Sequence, residues 1–146
     1  MISVVVDASV AVKWVLASRT GEQDADKALL LLGEFQLGRV SIVQPPHWLA
    51  EVAAVVSRLD PETASEAVEV LHAFELPTNN SWDVYARACK LSVSLQHHLF
   101  DTLYHAVALT GGQRTLITAD EQYYRKAQKF GRIVRLKECE KLMSYS

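Results

Sequence analysis

Cysteine is scarce in this 146-residue chain, with two in all. Cys89 and Cys139 lie far apart, and neither has a second thiol or a histidine at ligand spacing, which argues against a cysteine zinc site and a disulfide framework. Long apolar runs are missing as well. None approaches the roughly 18 residues that a membrane helix needs, and the N-terminus enters a strand without a basic and apolar leader. The expected location is the cytoplasm. With 4 prolines and 6 glycines, and no repeat, linker or low-complexity tract, residues 1–146 read as one domain. A hydrophobic content of 49% is enough for one well-buried core.

A strong excess of either charge is also absent. The formal net charge is −2, which does not advertise a nucleic-acid binder. The total hides an asymmetry: residues 1–112 carry 7 basic and 13 acidic side chains, and the remaining 34 carry 8 and 4. Arg125, Lys126, Lys129, Arg132 and Arg135 form the densest basic segment. Such a cluster can neutralise phosphates beside an acidic metal site, or it can be a solvated helix face that keeps the protein soluble.

What is present is an alternation of strands and helices. Ser3–Val6 is a valine-rich run of the kind that forms a parallel strand buried on both faces. Ala8–Leu16 reads as a helix. Asp24 is placed to cap a second helix that Gly38 ends, and Val40–Val43 is a strand closed by Pro45 and Pro46. A third helix runs to Leu59, and Asp60-Pro61 opens a fourth to about Phe74. Phe74–Pro77 is a candidate short strand. Helices over Ser81–Val93 and Leu99–Thr110 follow, then a strand at Thr115–Thr118, a helix at Asp120–Phe130, a strand at Ile133–Leu136 and a final helix at Lys137–Met143. This order predicts a three-layer α/β/α domain around a central parallel sheet, with ligands bound beyond the carboxyl ends of the strands.

Four acids stand out against that pattern. Asp7 ends the first strand and Asp120 follows the strand that carries Thr118. Glu51 borders the stripe Trp48, Val52, Val55, Val56 and Leu59, and Asp101 lies beside Ala108 in the first turn of its helix. Taken singly, each reads as a cap, turn or border ion pair. Brought together, they form a site with a charge near −4 that needs a hard cation, Mg²⁺ or Mn²⁺. A competing zinc reading rests on His97, Asp101 and His105, which recur every four residues. Three ligands in one line on one helix surround an ion poorly, so His105 is better expected to hydrogen-bond near Asp101. His47, His72 and His98 read as surface or border residues. Trp14, Trp82 and Leu29–Leu32 read as core, or as anchors of a dimer or partner surface.

The segments Val5-Val6-Asp7-Ala8-Ser9, Pro46-His47-Trp48-Leu49-Ala50-Glu51, Phe100-Asp101-Thr102-Leu103-Tyr104-His105 and Leu116-Ile117-Thr118-Ala119-Asp120 resemble, in order, the motifs of PIN domains. Within that superfamily the chain is similar to VapC-type toxin ribonucleases. The resemblance implies a metal-dependent endoribonuclease acting on RNA, a homodimer, and a small antitoxin whose C-terminal segment wraps the toxin. It places Asp7, Glu51, Asp101 and Asp120 in the catalytic acidic quartet, with Ser9 and Thr118 as supporting hydroxyls. His105 departs from the larger apolar residue that relatives often carry. Lys13, beside Asp7, and Arg125 and Lys129, from the basic segment, are candidates for contacting substrate phosphate. Two other classes compete. A phosphoacceptor domain normally wants paired acids after the first strand, and here Asp7 is followed by Ala8 and Ser9. A catalytically silent binding module shares the fold, because fold alone does not establish activity.

Overall fold

A computed structural model describes residues 1–19 and 21–144. Strand β1 (Ile2–Val6) leads into α1 (Ala8–Leu16) and α2 (Ala25–Gln36), and β2 (Val40–Ile42) follows. Four helices come next: α3 (Trp48–Leu59), α4 (Ala64–His72), α5 (Trp82–Leu95) and α6 (Leu99–Leu109). The chain closes with β3 (Arg114–Thr118), α7 (Glu121–Ala127), β4 (Ile133–Arg135) and α8 (Cys139–Met143). Short 3₁₀ turns extend α7 to Phe130 and join β4 to α8.

The four strands are parallel in the order β2-β1-β3-β4. Val4, Val5 and Val6 are consecutive and all fully buried, as are Leu116 and Ile117. Adjacent residues of a strand point to opposite faces, so the sheet is covered on both sides. From β1 the chain crosses to one edge, and from β3 it crosses to the other. Right-handed crossovers then send the two connections to opposite faces and open a crevice at the carboxyl ends of β1 and β3. Trp14 belongs to the core, where its indole N–H donates to the Ala28 carbonyl at 2.9 Å. Trp82 is instead largely exposed.

The expected strand over Phe74–Pro77 does not form. Glu75 takes a left-handed conformation with φ of 50°, which breaks an extended run. The segment meets the sheet edge through a single parallel bridge between Gln44 and Thr78. The Gln44 side chain, fully buried, turns the other way and continues the β2 edge: its Oε1 accepts from Val6 N and its Nε2 donates to Val6 O, both at 2.8 Å. One side chain thereby satisfies the last residue of β1, next to Asp7. Two expected caps also differ. Asp24 occupies the N-cap position of α2 without a side-chain cap bond. Asp60 ends α3 and accepts from the Thr63 hydroxyl at 2.6 Å, so α4 begins three residues later than the Pro61 signal implied.

Candidate metal centre

The carboxyl ends of β1 and β3 supply the first two acids through the same device. Asp7 is the N-cap of α1, where its Oδ2 accepts from the Ser9 amide at 3.1 Å and from the Ser9 hydroxyl. Asp120 is the N-cap of α7, and its Oδ1 accepts from Tyr123 N at 3.0 Å. The helix-cap role is met on both residues without excluding a site role, because each cap uses one oxygen and leaves the other. Ser9 also ties the two loops together, because its Oγ accepts from Ala119 N at 3.0 Å. Buried Thr118 accepts from Asp120 N at 3.0 Å. Both hydroxyls hold backbone and acids in place around the crevice.

Helices α3 and α6 bring the other two. Glu51 Oε1 accepts from the Tyr104 hydroxyl at 3.2 Å, and its Oε2 lies 3.6 Å from His47 Nε2. Asp101 Oδ2 is 2.8 Å from His97 Nε2. Burial pushes the Asp7 carboxyl up to about 7; the two Ser9 bonds oppose the shift, and the charges of Asp101 and Glu51 reinforce it. Burial likewise raises Asp101, against the His97 bond, with further repulsion from Glu51 and Asp120. Each of the four acids thus acts electrostatically on at least one of the others. Tyr104 and Tyr123 lie beneath them, and burial followed by the same negative charges keeps both phenols protonated.

His97, Asp101 and Asp120 are the tightest group: one ligand atom from each falls within 4.8 Å of the others. Among the described residues, no donor meets Asp7 Oδ1, Asp101 Oδ1 or Asp120 Oδ2. Partly buried carboxylates with mutual repulsion and spare oxygens fit a hard divalent ion.

His105 does not join this group. It is fully buried, its Nε2–H donates to the Gly131 carbonyl at 2.8 Å, and its Nδ1 accepts from the Tyr123 hydroxyl at 2.9 Å. Both nitrogens are occupied, so the His97-Asp101-His105 spacing is not a ligand set, and burial holds His105 neutral by lowering its pKa. Its contact reaches the acids only through Tyr123, not by bonding near Asp101 as the spacing suggested.

The expected phosphate cations are dispersed. Lys13 is 9% exposed and engages the Glu22 carboxylate at 2.8 Å and the Gln23 carbonyl at 2.7 Å. That pair has to open before Lys13 can reach a phosphate. Arg125 is exposed and 3.9 Å from Glu121, and the Lys129 ammonium lies 5.6 Å from the Phe130 ring centroid. Arg135 is spent on Glu121 and Glu138, and Arg132 on carbonyls at the far end of the sheet. Sequence reasoning overlooked Tyr104 and Gln44 as supports. Tyr104 had a usable signal, since it stands three residues after Asp101 and so on the same helical face; Gln44 had none, because its partners are backbone atoms of another strand.

The PIN domain family model matches residues 4–129, and the chain belongs to that family. No curated protein matches the chain. PIN domains are metal-dependent nucleases as a class, so a nucleic acid is the implied substrate and a divalent ion the implied cofactor. No helix among the described residues is long and apolar enough to cross a membrane.

Proposed function

We propose that this chain is a Mg²⁺- or Mn²⁺-dependent endoribonuclease that hydrolyses RNA phosphodiester bonds, and that it serves as the toxin of a toxin-antitoxin pair. The observation that carries the reading is the set of spare carboxylate oxygens on Asp7, Asp101 and Asp120 at the crevice between β1 and β3. Asp7 and Asp101 are the direct ligands in this proposal, and Asp120 binds directly or through water. Glu51, steadied by Tyr104, is a further ligand or orients the attacking water. A bound divalent ion supplies charge neutralisation at the phosphate oxygens and lowers the pKa of a coordinated water. No covalent nucleophile is needed. Exposed Leu29, Leu30 and Val70 support an antitoxin or dimer surface, as do Trp82 and Val93 on α5.

The test is cleavage of a mixed pool of structured and single-stranded RNA by the purified protein with Mg²⁺, Mn²⁺ or chelator, alongside Asp101→Asn. Metal-dependent cuts that vanish in the variant are expected. Equal cutting with chelator present, or by the folded variant, would sink the assignment. A wild-type chain that makes no cut in any metal would be either a nuclease of very narrow substrate range or a silent PIN-fold binding module, and partner capture separates the two. A stable complex with the product of a short upstream reading frame is expected for the toxin role.

A further inference from the structure

His97 sits where a third metal ligand is easily imagined, beside Asp101 and Asp120. Its hydrogen bonds point elsewhere. The Lys126 ammonium is 3.2 Å from His97 Nδ1. An ammonium has three donors and no acceptor, so Nδ1 must be the bare nitrogen. A doubly protonated ring would set N–H against N–H there. The neutral ring then carries its proton on Nε2, which donates to Asp101 Oδ2 at 2.8 Å.

The surroundings fix this arrangement from the backbone outward. Gln96 closes α5 in the left-handed region with φ of 51°, an uncommon conformation for a residue other than glycine. Its carbonyl accepts from the same Lys126 ammonium at 3.5 Å. His97 N donates to Ser92 O at 3.1 Å, and the Ser92 hydroxyl returns a bond to the His97 carbonyl. The imidazole also lies edge-on to Tyr123, with ring centroids 4.9 Å apart.

We infer that His97 is a positioning residue for Asp101 rather than a metal ligand, and that Lys126 imposes this role by holding the opposite ring nitrogen. Two ligands on a tetrahedral zinc ion stand about 3.4 Å apart, from bond lengths near 2.1 Å. The His97-to-Asp101 separation is the shorter distance of a hydrogen bond. To bind an ion through Nε2, His97 must surrender its proton, its bond to Asp101 and its contact with Lys126 together. While Lys126 stays in place, His97 keeps its N–H on Asp101 Oδ2, no donor among the described residues meets Oδ1, and the donor set offered to an ion is all oxygen. Such a set favours Mg²⁺ or Mn²⁺ over Zn²⁺. The consequence for metal choice rests on the metal-centre reading above; the tautomer does not.

Two measurements on the full chain test this without RNA. Nitrogen-15 NMR of the imidazoles in metal-free protein, in mildly alkaline buffer, should show His97 protonated on Nε2. A proton on Nδ1 overturns the inference. Calorimetric titration should then show Mn²⁺ binding weakened about 10- to 100-fold in His97→Leu, as for other groups that orient a metal ligand. His97→Gln, which keeps an N–H donor at similar reach, should recover most of it. Unchanged Mn²⁺ affinity in folded His97→Leu, or no recovery in His97→Gln, overturns the positioning role. Lys126→Met frees Nδ1 to carry the proton and should raise Zn²⁺ affinity relative to Mn²⁺; an unchanged ratio overturns the part given to Lys126. Absence of RNA cleavage alongside the expected tautomer and Mn²⁺ affinities counts against the ribonuclease reading alone.

Discussion

The two ends of the sheet treat charge in opposite ways. At the amino end of β3 and β4, Arg114 donates to the carbonyls of Thr110 and Gly111 at 3.3 and 3.4 Å. Arg132 donates to those of Ala108 and Gly112 at 3.2 and 2.8 Å. Two guanidinium groups therefore satisfy the end of α6, where orphan carbonyls and the negative end of the helix dipole call for cations. At the carboxyl end, four acids meet mainly neutral donors: the Ser9 amide and hydroxyl, the Tyr123 amide, and the hydroxyl of Tyr104. Two ammonium groups are engaged by other partners, Lys13 by Glu22 and Lys126 by His97. The chain carries enough cations to neutralise the acids and places them elsewhere, which leaves one end electrostatically complete and the other in need of an ion.

That contrast breaks most visibly at Asp101. Asp101→Asn should lower metal-dependent RNA cleavage by about 10³-fold or more while the protein stays folded, read as initial rates beside a thermal melt. The second largest effect is on stability, at Asp7. Its folded pKa is raised from 3.8 to about 7, so its linkage contribution is fully present below the unfolded value and lost as pH rises through the folded one. A shift of that size is worth up to ~4 kcal/mol. Metal-free Asp7→Asn should therefore be more stable than wild type above pH 7, by up to ~4 kcal/mol. The gap should close towards the acid side of 3.8, where Asp7 is protonated in both states. Denaturant melts across pH decide it; a variant no more stable than wild type in alkaline buffer would mean that the Asp7 charge is well solvated.

Much of this end was legible in the sequence. Valine-rich β1 and the acids after two strands follow from local pattern, because burial on both faces and capping leave marks within a few residues. Parallel order, and with it the crevice, follows from strand-helix alternation. What escaped depends on distant partners. Gln44 reads as a polar residue before Pro45, yet it completes β1 through Val6, 38 residues away. His97 and His105 occupy equivalent steps on either side of Asp101; one binds it and the other is drawn into the core by Tyr123 and Gly131. Helical spacing could not separate them, since His97 precedes α6 and its ring direction is set by Ser92, Gln96 and Lys126. The Phe74–Pro77 run had strand-like composition, and the left-handed turn at Glu75 overrode it.

A smaller effect sharpens the contrast by filling the incomplete end. Mn²⁺ at about 100 times its dissociation constant should stabilise the wild-type chain by about 2.7 kcal/mol through linkage. Asp7→Asn should gain less, because it has lost a ligand charge. Added metal should therefore narrow the lead that the variant holds above pH 7, by at most about 2.7 kcal/mol. Equal Mn²⁺ shifts in both would remove Asp7 from the ligand set.

The smallest effect probes the complete end. Arg132→Met removes the guanidinium from the Ala108 and Gly112 carbonyls and should cost about 1 kcal/mol, the usual worth of a partly solvated hydrogen bond or helix-end charge. Methionine is the informative replacement. Arg132 has φ of 52°, and methionine shares the steric cost of that conformation, whereas glycine would relieve it and mask the lost bonds. Because Arg132 serves the amino end, the variant should keep wild-type Mn²⁺ affinity within about twofold, less than the tenfold that 1.4 kcal/mol represents. A larger loss of Mn²⁺ binding would show that α6 transmits strain from Ala108 to Asp101. The two ends would then be one coupled unit, and the separation of a neutralised end from an ion-seeking one would fail.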